Sequence, residues 1–458
     1  MINSNSHFSF SNLKESKQTS IREALYRAKR LISHHTGIIS RVEYGELLPG
    51  EPMVTFARAT PAETSAFSNE TALNSGDGTT IDQERALMKA VGESAERYCS
   101  SQFDTDDFLL SSYEDIKEPA VDPSAFALFS EKQYKAPSFP FQKLNNKTPV
   151  FWSLGYSLTN DNPVYVPSGF VYVPYRFTNP KETRFHISIS TGLACGTSRA
   201  MALYKGLMEA IERDAFMIAW RNQLSLPLID LKNIDDPPIK KLMESLQQTP
   251  VQVFAINTTI DIEIPVVLII LRNSNGKPPY TVTGISANLD PIQALRSALE
   301  EGILTFLGMN RFAKTKLNYQ PESDYKDLKT PIDHAIAHGV WPNLQKEIDF
   351  LVSSKEKISI HDLPNRSQAG FADNIHTTVN LLKEKGLETI ALDITTPDID
   401  EAGFKTVRAI VPGLHSLDID HNYTYLGGKR LYQAPCDAGL IDRPLKEEEL
   451  NMAPHCFP

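Results

Sequence analysis

Two segments of the sequence carry one signature. Lys89, Glu93, Glu96 and Arg97 read K-x-x-x-E-x-x-E-R, and Lys205, Glu209, Glu212 and Arg213 repeat it 116 residues later (209 − 93). Residues three and four apart share one face of a helix, so each segment would present two carboxylates together, flanked by cations. Leu87 and Val91, or Leu203, Leu207 and Ile211, occupy the remaining face. A single such helix is also what a solvated, ion-paired surface looks like. Two copies, each after a short Gly-containing loop, instead constrain the chain to repeat strand, small-residue loop and acidic helix. A third round ends in a helix from Asp290-Pro291 with Glu300 and Glu301, and Arg296 one turn earlier. Three helices bringing carboxylates into one cleft are unstable unless cations neutralise them, which points to Mg²⁺ and a polyphosphate.

The rest of the chain fits an α+β fold built from such units around a cleft for Mg²⁺ and a polyphosphate. The first 20 residues are Ser/Asn/Lys-rich and read as a flexible tail. Ser20 and Glu23 form S-x-x-E at the head of the first amphipathic helix. Segments 37–44 and 53–60 read as paired strands around Leu48-Pro49-Gly50, and a Pro-rich aromatic stretch from about 118 to 150 interrupts the pattern. Strands follow at VFWSLGYSL, NPVYVPSGFVYVPY, VQVFAINTT, IPVVLIILRN and YTVTGISA, and later at ETIALDITTPDI and TVRAIVPGL. The expected division is a catalytic domain over 21–415, with a helical insertion near 320–385, and an irregular segment over 416–458.

Composition excludes several classes. Formal charge is 46 − 56 = −10, so no general basic field exists to hold a nucleic acid or an anionic membrane. The four cysteines, Cys99, Cys195, Cys436 and Cys456, lack the paired spacing of a zinc site or a disulfide framework, as expected of free thiols in the cytoplasm. Neither a membrane-span run nor a signal-peptide pattern is present. No G-x-x-x-x-G-K-S/T loop and no kinase motif set occurs, so a nucleotide site here is of another kind. His334 and His338 stand four apart without a third ligand and read as packing residues. Cys436 and Cys456 read as structural. Arg408, beside a Pro-Gly turn, is placed either to reach into a cleft or to form a structural ion pair.

The segments SGDGTTIDQERALMKAVGESAERYCSS, STGLACGTSRAMALYKGLMEAIERDAFMIAW, DPIQALRSALEEG, LDITTPDIDEAGFKTVRAIVPGL and the terminal APHCFP resemble, in that order, the YcaO family, from about residue 36 onward. Within it the match is to the azoline-forming D proteins of thiazole/oxazole-modified peptide clusters. The resemblance implies an ATP-dependent enzyme in which a Cys, Ser or Thr of a ribosomal precursor peptide attacks the preceding carbonyl. Phosphorylation of the resulting oxygen then lets it leave, giving a thiazoline or oxazoline. It places Glu93, Glu96, Glu209, Glu212 and Glu301, or its neighbour Glu300, around Mg²⁺. Glu93 and Glu209 also stand at the nucleotide with Arg97, Lys205, Arg213 and Arg408. It further gives the carboxylate of Pro458 a part in proton transfer.

Three positions depart from the family pattern. Asp77 stands where relatives often carry Lys in G-K-G, Lys89 where they carry Ser, and Cys456 at the middle proline of the P-x-P-x-P ending. The short stretch before the matching region implies a separate ThiF-like partner that binds the leader peptide. A flavin-dependent dehydrogenase acting on azolines is a further implied partner, and a homodimer is left open. The competing expectations are a YcaO enzyme making thioamides or amidines, and a non-catalytic YcaO-like scaffold.

Overall fold

Short strands precede all three acidic helices, the first two included, whose Gly-containing lead-ins read as loops. The computed structural model describes residues 8–13, 19–65, 68, 70–72, 75–116, 118–315 and 320–457. In chain order α1 (Phe10–Leu13) and α2 (Ile21–Ala28) lead to β1 (Ile39–Tyr44), β2 (Thr55–Pro61), β3 (Gly76–Thr80) and α3 (Gln83–Ser101). Then come β4 (Leu109–Ser111), α4 (Glu131–Tyr134), β5 (Val150–Ser157), β6 (Asn162–Pro167), β7 (Leu193–Gly196) and α5 (Arg199–Arg221). The third stretch is β8 (Leu228–Ile229), α6 (Pro237–Gln247), β9 (Val251–Asn257), β10 (Val266–Asn273), β11 (Thr281–Ala287) and α7 (Pro291–Thr315). It is followed by α8 (Pro331–Val340), α9 (Asp349–Val352), β12 (Lys357–Ile358), α10 (Phe371–Glu384), β13 (Ile390–Asp393), α11 (Pro397–Glu401), β14 (Lys405–Ile410) and α12 (Lys429–Asp437).

These strands make three sheets: β1-β2-β3, β11-β10-β9-β8-β12, and β4-β5-β13-β14-β7 with β6 on β5. Pairing is antiparallel except between β8 and β12. The strands before the acidic helices, β3, β7 and β11, each lie at the end of a different sheet. Each helix packs on its own strand and on the strand of the next unit: α3 on β3 and β7, α5 on β7 and β11, α7 on β11 and β3. The three units therefore close a ring.

Glycine permits this close packing. A Cβ on Gly78 would lie 2.1 Å from the Ala86 carbonyl oxygen, and one on Gly284 would lie 2.1 Å from the Gly302 nitrogen. Gly78, which reads as loop, is a strand position pressed against helix backbone, as is Gly284 in the strand YTVTGISA. Asp82 and Ser198 cap α3 and α5 by accepting from Arg85 N and Met201 N. α5 is buried on nearly all sides, with Trp220 and Arg221 fully enclosed, and forms the centre of the main core.

Several expectations need correction. The segment expected as a flexible tail contains α1, and Leu13 at its end and Phe8 just before it are buried in the main core; two apolar anchors outweigh a polar average. The insertion near 320–385 is mainly helical, but β12 pairs with β8 and makes it part of a sheet. VYVPY, after β6, is not strand. The segment after 416 contains α12, whose Arg430 bridges Asp214 and Asp261, and Leu431 and Ala434 are buried. Among the described residues no helix is long and apolar enough to cross a membrane.

Candidate active site

A cavity of about 380 Å³ opens where the three helices meet, and Glu93, Glu96, Glu209, Glu212, Glu300 and Glu301 all line it. One glutamate per helix is fixed by the backbone of its own unit. The Asp77 N–H donates to Glu93 Oε2, the Gly192 N–H to Glu209 Oε2 and the Ile285 N–H to Glu301 Oε2, each at 2.7 Å. The sequence separations are 16, 17 and 16 residues, so the three units share one register. Arg97 and Arg213 pair with Glu93 and Glu209 one helical turn earlier, at 2.5 and 2.7 Å. Glu212 reaches the next unit, accepting from the Ala287 N–H at 3.3 Å. Glu300 pairs with Lys89 across α7 and α3 at 2.5 Å.

Among the described residues Glu96 and Glu212 have no ion-pair partner of this kind. Burial, with the facing Glu209 charge, pushes the Glu96 carboxyl well above the usual carboxylate range. Burial, with Glu301 and Glu209, does the same to Glu212. Glu301 is pushed up to about 7 by burial, with its backbone hydrogen bond pulling the other way. Lys205 lines the cavity with its side chain open to solvent, and the protein crowded around it lowers its ammonium; the Cys195 carbonyl lies 3.5 Å away. The Nε atoms of Arg97 and Arg213 are buried without a hydrogen-bond partner. Crowded carboxylates and a poorly partnered ammonium are the donor set that a polyphosphate and a divalent cation complete, while Arg97 and Arg213 do not line the cavity and touch it through Glu93 and Glu209. Among the described residues no three His, Cys, Asp or Glu side chains converge to hold an ion directly. Glu93 and Glu209 are turned toward their arginines, and Glu300 toward Lys89.

Arg408 does not line this cavity. It lies within β14, 4 % exposed, and donates from Nη2 to the Ile189 carbonyl at 2.7 Å. Its Nε and Nη1 are buried and unpartnered, and burial lowers its guanidinium to about 10 although Glu209 and Glu96 pull upward. Among the described residues Arg408 makes no ion pair, and it does not open into the nucleotide cavity. The departures at Asp77 and Lys89 are both partnered: Asp77 makes a bidentate cross-strand pair with Arg58 at 2.7 and 2.8 Å, and Lys89 holds Glu300. His334 and His338 are buried packing residues at the C-terminal segment. His334 stacks on His455 with ring centroids 4.1 Å apart, and His338 Nε2 meets the Pro454 carbonyl at 2.9 Å. Burial pushes the Cys456 thiol up to about 12, while Cys436 lies on α12. Pro458 lies outside the described residues. The residue before it, Phe457, packs under the Arg213 guanidinium, 5.8 Å from ring centroid to Cζ, and Thr283 Oγ1 donates to the Cys456 carbonyl at 2.7 Å.

Sequence reasoning missed Arg58, whose partner is set only by strand register, and Ser297 and Leu304, which line the cavity. The last two had a signal: they stand on α7 four residues before and three after Glu301, the offsets of Lys89 and Glu96 around Glu93.

A ring of three strand–helix units around an acidic cavity defines a nucleotide-and-metal site without a phosphate-binding loop. The family model that matches residues 77–415 is described as YcaO cyclodehydratase, ATP- and Mg²⁺-binding, and the chain belongs to that family. Solved structures share the fold. A heterocyclase in complex with substrate and cofactor superposes with a TM-score of 0.77 at 24% identity, covering 96% of this chain, which in turn spans 57% of that protein. YcaO from Methanopyrus kandleri, bound with AMPPCP and Mg²⁺, gives 0.62 at 17% identity over 87% of this chain and 91% of that one. A chain of the E. coli microcin synthetase complex gives 0.58 at 12% identity, over 84% and 90%.

Proposed function

We propose that this chain is an ATP-dependent cyclodehydratase that converts Cys, Ser or Thr residues of a ribosomally made precursor peptide to thiazolines or oxazolines. The observation that carries this is the crowding of Glu96, Glu212 and Glu301 in one cavity, with their carboxyls held above their ordinary range. Such a cluster is relieved by divalent cations rather than by the protein. Family membership and the fold shared with a heterocyclase support the peptide substrate.

Mg-ATP supplies the phosphoryl group that turns an amide oxygen, a poor leaving group, into a good one. Glu93, Glu96, Glu209, Glu212 and Glu301 would hold Mg²⁺, with Glu93 and Glu209 also beside the nucleotide. Lys205, which lines the cavity, would meet phosphate oxygens; Arg97 and Arg213, paired with Glu93 and Glu209 behind the lining, would brace those carboxylates or turn to phosphate from them. Arg408 approaches the same cluster from its other side. In the peptide, the side-chain sulfur or oxygen bonds to the preceding carbonyl carbon, and the carbonyl oxygen departs with the transferred phosphoryl group. The thiol or hydroxyl proton and the amide proton are lost as the C=N bond forms.

A separate ThiF-like, leader-binding protein is part of this proposal, followed by a flavin-dependent dehydrogenase that oxidises azolines. The multi-chain microcin synthetase and the greater length of the heterocyclase support such assistance. The pairings of Asp77 and Lys89 leave the acidic cavity intact, which favours an enzyme over a scaffold. The cytoplasm, where Mg-ATP is available, is the proposed location. Incubating the chain, its partner and a precursor peptide with Mg-ATP tests the proposal by mass spectrometry. Loss of one water per modified residue with stoichiometric ADP is expected, whereas exchange of oxygen for sulfur would assign thioamide formation instead.

A further inference from the structure

Among the described residues, Lys89 and Lys205 are the two cations that line the acidic cavity. They stand at one register, each four residues before the glutamate that its own unit's backbone anchors, Glu93 or Glu209. Their ammoniums face one space. Burial lowers the Lys205 ammonium and the Lys89 charge acts in the same direction. Burial raises the Glu301 carboxyl, while its backbone hydrogen bond, Arg213 and Lys89 oppose the rise. A cation felt both by Lys205 on α5 and by Glu301 on α7 points into the cavity rather than along the outside of α3.

The tie to Glu300 does not use up Lys89. An ammonium has three N–H donors, and Lys89 Nζ spends one on Glu300 Oε2 at 2.5 Å and one on the Thr79 carbonyl at 3.4 Å. The third has no partner among the described residues. Thr79 and Glu300 line the same cavity, so they hold the ammonium at its wall from β3 and from α7. The Lys89 side chain is 45 % exposed and that of Glu300 8 %, which leaves the cation open to an incoming ligand and its partner fixed. A half-exposed ion pair stabilises little. It does restrict a point charge that otherwise roams on a flexible four-carbon stem. Glu300 lies outside the register of the backbone-anchored glutamates, and its partner is Lys89.

We propose that Lys89 is a second phosphate-binding cation of this cavity, its remaining N–H donating to a polyphosphate oxygen of the nucleotide while Glu300 and the Thr79 carbonyl hold it in place. This rests on the acidic cavity being the Mg-ATP site, and adds a contact from α3 to that of Lys205 on α5. Lys89 is one of the positions at which the chain departs from the family pattern, so the contact belongs to this sequence in particular. Glu300 is a positioning residue. Its carboxylate fixes the ammonium and, as an anion, opposes the phosphate beside it.

Calorimetric titration of the full chain with Mg-ATP separates this contact from a purely structural tie. Lys89→Met keeps most of the stem and removes the charge, and should weaken Mg-ATP about ten-fold, the loss of one charge-assisted hydrogen bond. Glu300→Gln removes the ion pair but keeps an oxygen that accepts from Lys89 Nζ, and takes an anion away from the phosphates. It should bind Mg-ATP as tightly as the wild type or more tightly. A tie between α3 and α7 alone would weaken both variants equally, because each breaks the same pair. Melting curves, expected to fall only modestly in both, confirm that the variants fold. Wild-type affinity in Lys89→Met, or an equal loss in the two variants, overturns the proposal. Glu212→Gln, titrated alongside, tells that failure from failure of the site. If Glu212→Gln weakens Mg-ATP and Lys89→Met does not, Lys89 alone is misassigned; if neither does, the nucleotide lies elsewhere.

Discussion

The Glu301 carboxylate accepts from the Ile285 N–H at 2.7 Å, 16 residues back along the chain. This places Glu301, not Glu300, in the register of Glu93 and Glu209. In that register Lys89 and Lys205 correspond to Ser297, Glu96 and Glu212 to Leu304, and Arg97 and Arg213 to Thr305. The third unit thus contributes an anchored carboxylate without its own cations, which makes Glu301 dependent on the other two units. Glu300 lies off the register and ties α7 to α3 through Lys89.

Replacing Glu96 or Glu212 by Gln keeps shape and removes a charge that burial already disfavours. Mg-ATP affinity should fall by about ten-fold or more in each variant, since a hard-cation ligand is lost. Thermal stability should hold or rise, because a crowded carboxylate is relieved. Calorimetry and a melting curve measure the two separately. Unchanged Mg-ATP affinity in both variants would move the metal site elsewhere.

Glu301 gives the nucleotide-free protein a signed pH dependence. Its folded pKa, about 7, lies above the ordinary carboxylate value of 4.5, so the folded state binds the proton more tightly. Stability from this group is present at low pH and is lost as pH rises from 4.5 through 7. Melting temperatures of wild type and Glu301→Gln should diverge across that window, with the variant flatter. Saturating Mg-ATP should reduce the difference between pH 6 and pH 8 in the wild type, by neutralising the carboxylate with a cation instead of a proton.

The glycines of the ring make a steric test. Gly78→Ala puts a Cβ about 2.1 Å from the Ala86 carbonyl, a backbone atom that only a shift of α3 can relieve. Overpacking of this kind costs about 1–3 kcal/mol, and here it also displaces Glu93 and Glu96 from the cavity. Both a lower melting temperature and weaker Mg-ATP binding are expected. Gly276→Ala, in a turn with φ of +69° and open space around it, should lose stability without touching nucleotide affinity.

The same glycines mark where the sequence stops being legible. Helices α3, α5 and α7 and their carboxylates could be read because helical spacing is local: Glu93 with Glu96, or Glu209 with Glu212, face one way wherever the helix lies. The strands β3 and β7 could not, since a Gly-rich run looks like a loop until a helix presses on it. Arg408 was identifiable as a cation near the site, but which pocket its donors face depends on how β14 lies between β13 and β7. Phe126, Phe170 and His186 pack ring against ring, at 4.0 and 4.4 Å, from positions up to 60 residues apart (186 − 126) with no shared periodicity. The burial of Phe8 and Leu13 likewise depends on α5 and α10, remote in sequence.

Phe457 offers a last test, because it joins the C-terminal segment to the nucleotide cavity. Its ring is 2 % exposed, 5.3 Å from Phe216, and lies 5.8 Å from the Arg213 guanidinium carbon. Arg213 is then held on three sides, by Phe457, by Glu209 and by Thr191. Phe457→Ala would empty a core position at a cost of about 3–5 kcal/mol, so lost activity alone would say little. Phe457→Leu keeps most of the apolar volume and removes the π face. A cation over a ring contributes about 0.5–1 kcal/mol when exposed and about 2 when desolvated. The Leu variant should therefore fold with a modestly lower melting temperature and bind Mg-ATP several-fold more weakly, Arg213 being free to turn away. Arg213→Lys, which loses the planar fork, should show the same nucleotide defect, and the double variant should add little to it. If Phe457→Leu binds Mg-ATP as tightly as the wild type, Glu209 and Thr191 alone position Arg213, and the C-terminal segment is only a plug in the core.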